Sequence, residues 1–186
     1  MKKIVYMSQF RDSSGYAIAA RGYLKALDAY LQENPGAFEL KVHTFNVEKE
    51  KDLSDHMLDL LKKYEFTSLN ELKKFVREDY ILLWHMPPPM VVTFTGGLQH
   101  REIQWEGTAR LVLGANHKIN LTVWEADRIP TMWEELYYKN TSTNDVIVPS
   151  DWNKEIFDSC LEDVKCHKVT HLLDSERIMT DPVPMN

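Results

Sequence analysis

The sequence predicts a three-layer α/β domain of the Rossmann-like kind, with a mostly parallel sheet flanked by helices. Three observations carry this. Short runs of β-type residues alternate with amphipathic helical stretches along the chain, and that alternation builds βαβ units with right-handed crossovers. The runs end in turns rich in Ser, Gly, Pro and Asp, which punctuate rather than propagate structure. The length of 186 residues suits one domain around a single core.

Ile4 to Met7 reads as a short buried strand, followed by a polar turn from Ser8 to Gly15. Tyr16 to Leu31 has helical periodicity, with Ala19, Ala20, Tyr23, Leu24 and Leu27 on one side. Asn34-Pro35-Gly36 stops it. Phe38 to Val47 is a second strand, where Leu40, Val42 and Thr44 supply β-type side chains. Strand, turn, helix and strand make one βαβ unit.

A charged link over 48–52 leads to two amphipathic helices, Asp55 to Tyr64 and Leu69 to Arg77. Ser68 and Glu71 have the capping-box spacing for the second. Tyr80 to Trp84 is a buried strand that runs into His85-Met86-Pro87-Pro88-Pro89, a segment incompatible with helix or inner strand. Met90 to Thr95 reads as a strand or as an extended loop, ended by Gly96-Gly97, and Glu106 to Leu113 as a helix. Ile119 to Trp124 is a strand, and Pro130 opens a helix through Tyr138. Asp145 to Val148 is a strand, Asp151 to Leu161 a helix, and Lys168 to Leu172 a last strand. The domain is expected to span 1–180, with 181–186 as a tail or an interdomain linker.

Composition removes several classes. A net charge of −6 supplies no global basic field for nucleic acid or an anionic membrane. No run approaches the ~20 apolar residues of a transmembrane segment. The apolar part of Met1 to Met7 is too short for a signal peptide. Cys160 and Cys166 are the only cysteines. With no other soft ligands beside them they argue against zinc, and reduced thiols in the cytoplasm are the expectation. No metal and no cofactor is expected. The five Trp read either as core or as groove lining.

Chemistry is expected just after the strands, because open parallel sheets bind ligands beyond their carboxyl ends. Four segments stand there. Ser13-Ser14-Gly15-Tyr16 precedes the first helix. It is either a glycine turn that lets backbone approach an anion at a helix N-terminus, or an ordinary cap by Ser13 or Ser14. It is no GxGxxG or Walker loop, so neither NAD nor ATP is implied, and dehydrogenase and kinase readings are disfavoured. His85 ends a strand, held by three prolines. It reads either as a partner for a substrate hydroxyl or as a histidine bonded to a loop carbonyl.

Trp124-Glu125-Ala126-Asp127-Arg128 sets two acids and a base beside a ring. Such a group suits a polyhydroxyl ligand, and it equally suits a helix N-terminal charge cluster with an internal ion pair. Val148-Pro149-Ser150-Asp151-Trp152-Asn153 is a turn into a helix that Ser150 and Asn153 can cap. The other histidines, at 43, 56, 100, 117, 167 and 171, are scattered without metal-ligand spacing and read as surface or satisfied core residues.

Together and in this order, these segments resemble a known family. Ser14-Gly15-Tyr16 with Ala19-Ala20-Arg21 resembles the "SGYGxAAR" start of retaining GT-B glycosyltransferases of the large family 4 kind. Leu121 to Pro130, continued by Trp133, is similar to their "WETDRLP" strand end, and Val146 to Asn153 to their "VWVPSEWN" segment. The first loop departs from the pattern, with Ala17 where the family has a second glycine.

The resemblance implies the acceptor-side half of an enzyme that moves a sugar, with retention, from a nucleotide-sugar donor to a hydroxyl acceptor. It implies that Ser14, Gly15 and Tyr16 approach donor phosphates or acceptor, and that His85, Glu125, Asp127, Arg128 and Ser150 orient substrate groups. No catalytic nucleophile is named by it. It also implies a C-terminal donor-binding domain, beyond residue 186 or on a partner chain. The alternative is a non-catalytic module that holds a sugar or nucleotide or docks a partner protein.

Overall fold

The computed structural model describes residues 1–44, 53–87, 110–131 and 143–171. In chain order the named elements are β1 (Lys2–Ser8), α1 (Gly15–Glu33), β2 (Phe38–Thr44), α2 (Asp55–Tyr64), α3 (Leu69–Phe75), β3 (Ile81–His85), β4 (His117–Leu121), β5 (Asp145–Val148), α4 (Asp151–Cys160) and β6 (Lys165–Lys168). Residues 110–114 are also helical.

The six strands form one sheet in the order β2-β1-β3-β4-β5-β6, and every pairing is parallel. The three-layer Rossmann-like fold expected from the sequence is therefore present. From β1 the chain moves one way to β2, then returns across β1 and proceeds the other way from β3. That reversal puts the switch point between β1 and β3, where Ser8 pairs with His85.

Alternation along each strand sorts the core into two halves. Tyr6, Leu40 and Val42 pack with Ala20 and Leu24 of α1 and with Met57, Leu60 and Leu61 of α2. Val5, Met7, Leu82, Trp84, Val146 and Val148 pack on the other face with Leu72 and Phe75 of α3, with Leu111 and Val112, and with Ile156 and Phe157 of α4. Each large apolar side chain so buried contributes about 1.5–3 kcal/mol. The buried Asp28 of α1 accepts hydrogen bonds from Gln32, Lys63 and Tyr64, which ties α1 to α2.

Four serines cap the helices. The side chains of Ser14, Ser54, Ser68 and Ser150 each accept from the backbone N–H three residues on. At Ser68 the reciprocal half of the expected capping box is replaced. The Glu71 carboxylate turns to the N–H and hydroxyl of Thr67 and to Lys41 on β2.

β1 is longer than expected, Lys2–Ser8, and β3 runs over Ile81–His85, so His85, expected to start a segment unfit for an inner strand, ends one instead and pairs with Ser8 and Leu121 before the prolines. Two further strands differ more. β4 ends at Leu121 instead of Trp124. Thr122 makes one more bond, to Ile147 O, and then Val123 and Trp124 are drawn off by side chains of α1 and α4. The last strand is Lys165–Lys168 instead of Lys168 to Leu172, because the buried Cys166 sits in register with Val146. The expectations for Met90 to Thr95, for all but the start of Pro130 to Tyr138, for the first half of Glu106 to Leu113 and for 181–186 lie outside the described residues. Among the described residues no helix is long and apolar enough to cross a membrane.

Candidate functional site

The switch point opens on His85, the last residue of β3 and 1 % exposed. Ser8, its register partner on β1, donates its hydroxyl to the His85 carbonyl at 3.0 Å. Tyr6 lies two residues before Ser8 and so shares its face. Its hydroxyl is 2.8 Å from His85 Nδ1. Tyr16 and Tyr23 are seven apart on α1, about two helical turns, so both rings face the same way. Their centroids lie 5.4 and 5.8 Å from the His85 ring, edge to face. His171, three residues past β6, adds a nearly parallel ring at 6.3 Å. Burial pushes the His85 imidazole down to about 3, and His171 pushes the same way. His85 is therefore neutral at physiological pH and acts through hydrogen bonds, not charge.

A second layer of contacts joins the motif segments. The Tyr16 hydroxyl donates to Val123 O at 3.0 Å, accepts from Val123 N–H at 3.1 Å and lies 3.1 Å from Thr122 Oγ1. Burial raises the Tyr16 phenol above its usual value, opposed by its bonds to Thr122 and Val123 and reinforced by the nearby Glu125. Asn153, buried in the first turn of α4, donates from Nδ2 to Trp124 O at 2.7 Å and accepts from Trp124 N–H at 3.4 Å. The start of α1, the end of β4 and the start of α4 are thus fastened through Tyr16 and Asn153.

Beyond Trp124 the chain turns sharply. The indole N–H of Trp124 donates to Arg128 O at 2.9 Å. This closes a loop on which Glu125, Asp127 and Arg128 are all exposed. No ion pair joins these three among the described residues, so the internal pair of the alternative reading is not what holds the loop. The indole-to-carbonyl bond does. The two carboxylates and the guanidinium lie exposed at the carboxyl edge.

Every residue singled out in the sequence lies at this one edge, though in different situations. Gly15 is exposed, and a Cβ added there meets nothing within 4 Å. The oxygens of Ser14 and Ser150 are occupied as helix caps. Tyr16 spends its hydroxyl on β4. His85 is bonded to a tyrosine, where a loop carbonyl was the alternative. Sequence reasoning missed Tyr6, Tyr23 and His171, which with Tyr16 enclose the His85 ring. The seven-residue spacing of Tyr16 and Tyr23 was the available signal for part of this. The meeting of Tyr6 with His85 depends on β1 and β3 being neighbours, which follows only once strand order is known.

At the opposite, amino edge a hollow is lined by His117, Thr143, Asn144, Asp145, Asp163 and Lys165. It lies away from all the motif segments. Among the described residues no group of three or more His, Cys, Asp or Glu is placed to hold a metal ion.

Fold and site together define a Rossmann-like α/β protein with an aromatic-lined, charge-neutral histidine at its switch point and an acidic and basic loop beside it. The chain matches no protein-family model, no curated protein and no solved structure.

Proposed function

We propose that this chain is the acceptor-side half of a retaining GT-B glycosyltransferase, one that moves a sugar from a nucleotide-sugar to a hydroxyl acceptor in the cytoplasm. The observation that carries the reading is the joining of its three resembling segments: Tyr16 bonds Val123, and Asn153 bonds Trp124. Segments far apart in sequence thereby build one wall at the carboxyl edge, where parallel sheets take ligands. On this reading the α1 start with Ser14, Gly15 and Tyr16 faces the donor phosphates or the acceptor. Glu125 and Asp127 accept hydrogen bonds from sugar hydroxyls, and Arg128 donates to them. A donor-binding domain, beyond residue 186 or on a partner chain, supplies the other wall.

The test is a radiolabelled-sugar transfer assay on the purified chain, with a panel of nucleotide-sugars and acceptors. One wall cannot hold both substrates in reacting geometry, and positioning supplies roughly 7–11 kcal/mol of such catalysis. The expected rate is near background, with weak binding of one panel member retained. Efficient turnover by the monomer overturns the half-enzyme reading. Gly15→Val should abolish the retained binding while the melting temperature moves by only a few degrees, because the added side chain enters open space. Equal affinity in the variant removes this loop from the site.

A further inference from the structure

The hydrogen bond between Tyr6 and His85 has a direction, and the direction decides which nitrogen of His85 carries the proton. A neutral imidazole has one N–H and one bare nitrogen, and a phenol has one proton to give. Tyr6 is fully buried, and its hydroxyl bonds only to His85 Nδ1 among the described residues. Ser8, the other hydroxyl at this point, is committed to the His85 carbonyl. Were Nδ1 protonated, the Tyr6 proton would be left without an acceptor in a place closed to water, a costly arrangement. Donation from Tyr6 to a bare Nδ1 satisfies both of these atoms and leaves only the Nε2 N–H to find an acceptor. Burial holds the Tyr6 phenol well above its ordinary value, so it keeps its proton.

We propose that Tyr6 locks His85 in the Nε2–H tautomer, so that His85 is a hydrogen-bond donor to a ligand oxygen and not a base. Tyr6 is then a positioning residue that acts through His85. Nε2 has no hydrogen-bond partner among the described residues, and its ring is enclosed by Tyr16, Tyr23 and His171. The group it fits is an oxygen with a free lone pair, on a phosphate or on a sugar hydroxyl. A proton-abstracting role is closed to it, because the bare nitrogen is occupied by the Tyr6 hydroxyl. The tautomer stands on the Tyr6–His85 geometry without reference to any ligand, and the ligand oxygen rests on the reading of this edge as a sugar-transfer cleft.

Nitrogen-15 NMR on histidine-labelled protein separates the two. The His85 signals are identified by their absence in His85→Gln. In the wild type, Nδ1 should resonate as a bare, hydrogen-bonded nitrogen and Nε2 as a protonated one, unchanged from pH 8 to pH 5. Tyr6→Phe should release the lock and give a tautomer mixture. A protonated Nδ1 in the wild type overturns the proposal without reference to any ligand, and that spectrum suffices should Tyr6→Phe fail to fold. Uridine diphosphate and methyl glucoside are then added in separate titrations. A shift of the Nε2 proton with the first assigns the oxygen to a phosphate, and with the second to a hydroxyl. A locked tautomer with no response to either overturns the donor role towards a ligand and counts against the sugar-transfer reading as well.

Discussion

The sheet carries two histidine environments that differ in almost every respect. At the carboxyl edge, His85 is buried, bonded to an uncharged tyrosine and enclosed by rings. At the amino edge, His117 and His167 are about half exposed, and each places Nε2 2.6 Å from one oxygen of Asp145. Burial alone would push the Asp145 carboxyl up, yet hydrogen bonds from His167 and His117 outweigh it and hold the acid below its usual range. Water explains the contrast. A buried imidazole gives up its charge, because no solvent is left to stabilise it. An exposed one can share a carboxylate at little desolvation cost, and gains correspondingly little. The first environment suits recognition by directed hydrogen bonds in a dry place. The second suits surface stitching of β4, β5 and β6.

The largest expected difference between the two lies in acid stability. A histidine held neutral in the fold, with its pKa depressed to about 3 at His85, binds no proton where the unfolded chain, near 6.5, binds one. Its contribution is complete above about pH 6.5 and is lost as pH falls from there towards 3. His85 alone then removes about 2 kcal/mol between pH 7 and pH 5. That is a large share of the 5–15 kcal/mol typical of a domain. His43, partly open to solvent but pushed by burial to about 4 with Glu65 opposing, adds a smaller loss of the same sign. Urea unfolding at a series of pH values measures this. His85→Gln should flatten the dependence by up to one proton, and equal slopes in the two proteins would refute the assignment.

Next in size is the cost of removing the Tyr6 hydroxyl. Tyr6→Phe keeps the ring that packs edge to face on Phe10 at 5.0 Å but leaves His85 Nδ1 without a donor. The expected loss is about 1–3 kcal/mol, the range for a buried polar group stripped of its partner. Denaturant midpoints at neutral pH read it out. A change below about 0.5 kcal/mol would mean that water or a shifted side chain replaces the phenol.

The fold was legible in the sequence because its signals are local. The short apolar runs Ile4 to Met7 and Tyr80 to Trp84, the capping serines Ser68 before α3 and Ser150 before α4, and the Asn34-Pro35-Gly36 stop can each be read from a few neighbouring residues. α2 and β5 lie at the expected limits, Asp55–Tyr64 and Asp145–Val148. The site was legible only by address. That Gly15, His85 and Glu125 share one edge follows from parallel strands, each ending where a loop begins. What those residues touch did not follow. Tyr16 was singled out as a ligand residue, but its hydroxyl fastens α1 to β4. His171 was read as surface or core, and it stacks at 6.3 Å on the very histidine chosen as functional. Contacts of this kind depend on strand order and on the path of the chain after β6, and no local pattern encodes either.

The smallest effect should come from the amino edge, and its smallness is the point of measuring it. Asp145→Asn keeps the side-chain shape and an oxygen that can still accept from one histidine, while the negative charge and the second strong acceptor are lost. The partners His117 and His167 are half exposed, so water replaces most of what the carboxylate gave them, and a loss of at most about 1 kcal/mol is expected at neutral pH. Because Asp145 is held below its usual range, its contribution is present above the ordinary carboxylate pKa near 4 and fades as pH falls through the depressed value. In the variant this acid-side fading should be absent. The cost should also shrink as salt is raised, since surface interactions of a charged group are screened beyond about 10 Å at 0.1 M, whereas the cost of Tyr6→Phe, a neutral bond in a dry place, should not change with salt. Unfolding curves of both variants in low and high sodium chloride make the comparison. If Asp145→Asn proved as costly as Tyr6→Phe and equally indifferent to salt, the amino-edge cluster would be a buried element of the fold like the one at the switch point, and the division between a dry recognition edge and a wet stitched edge would fall.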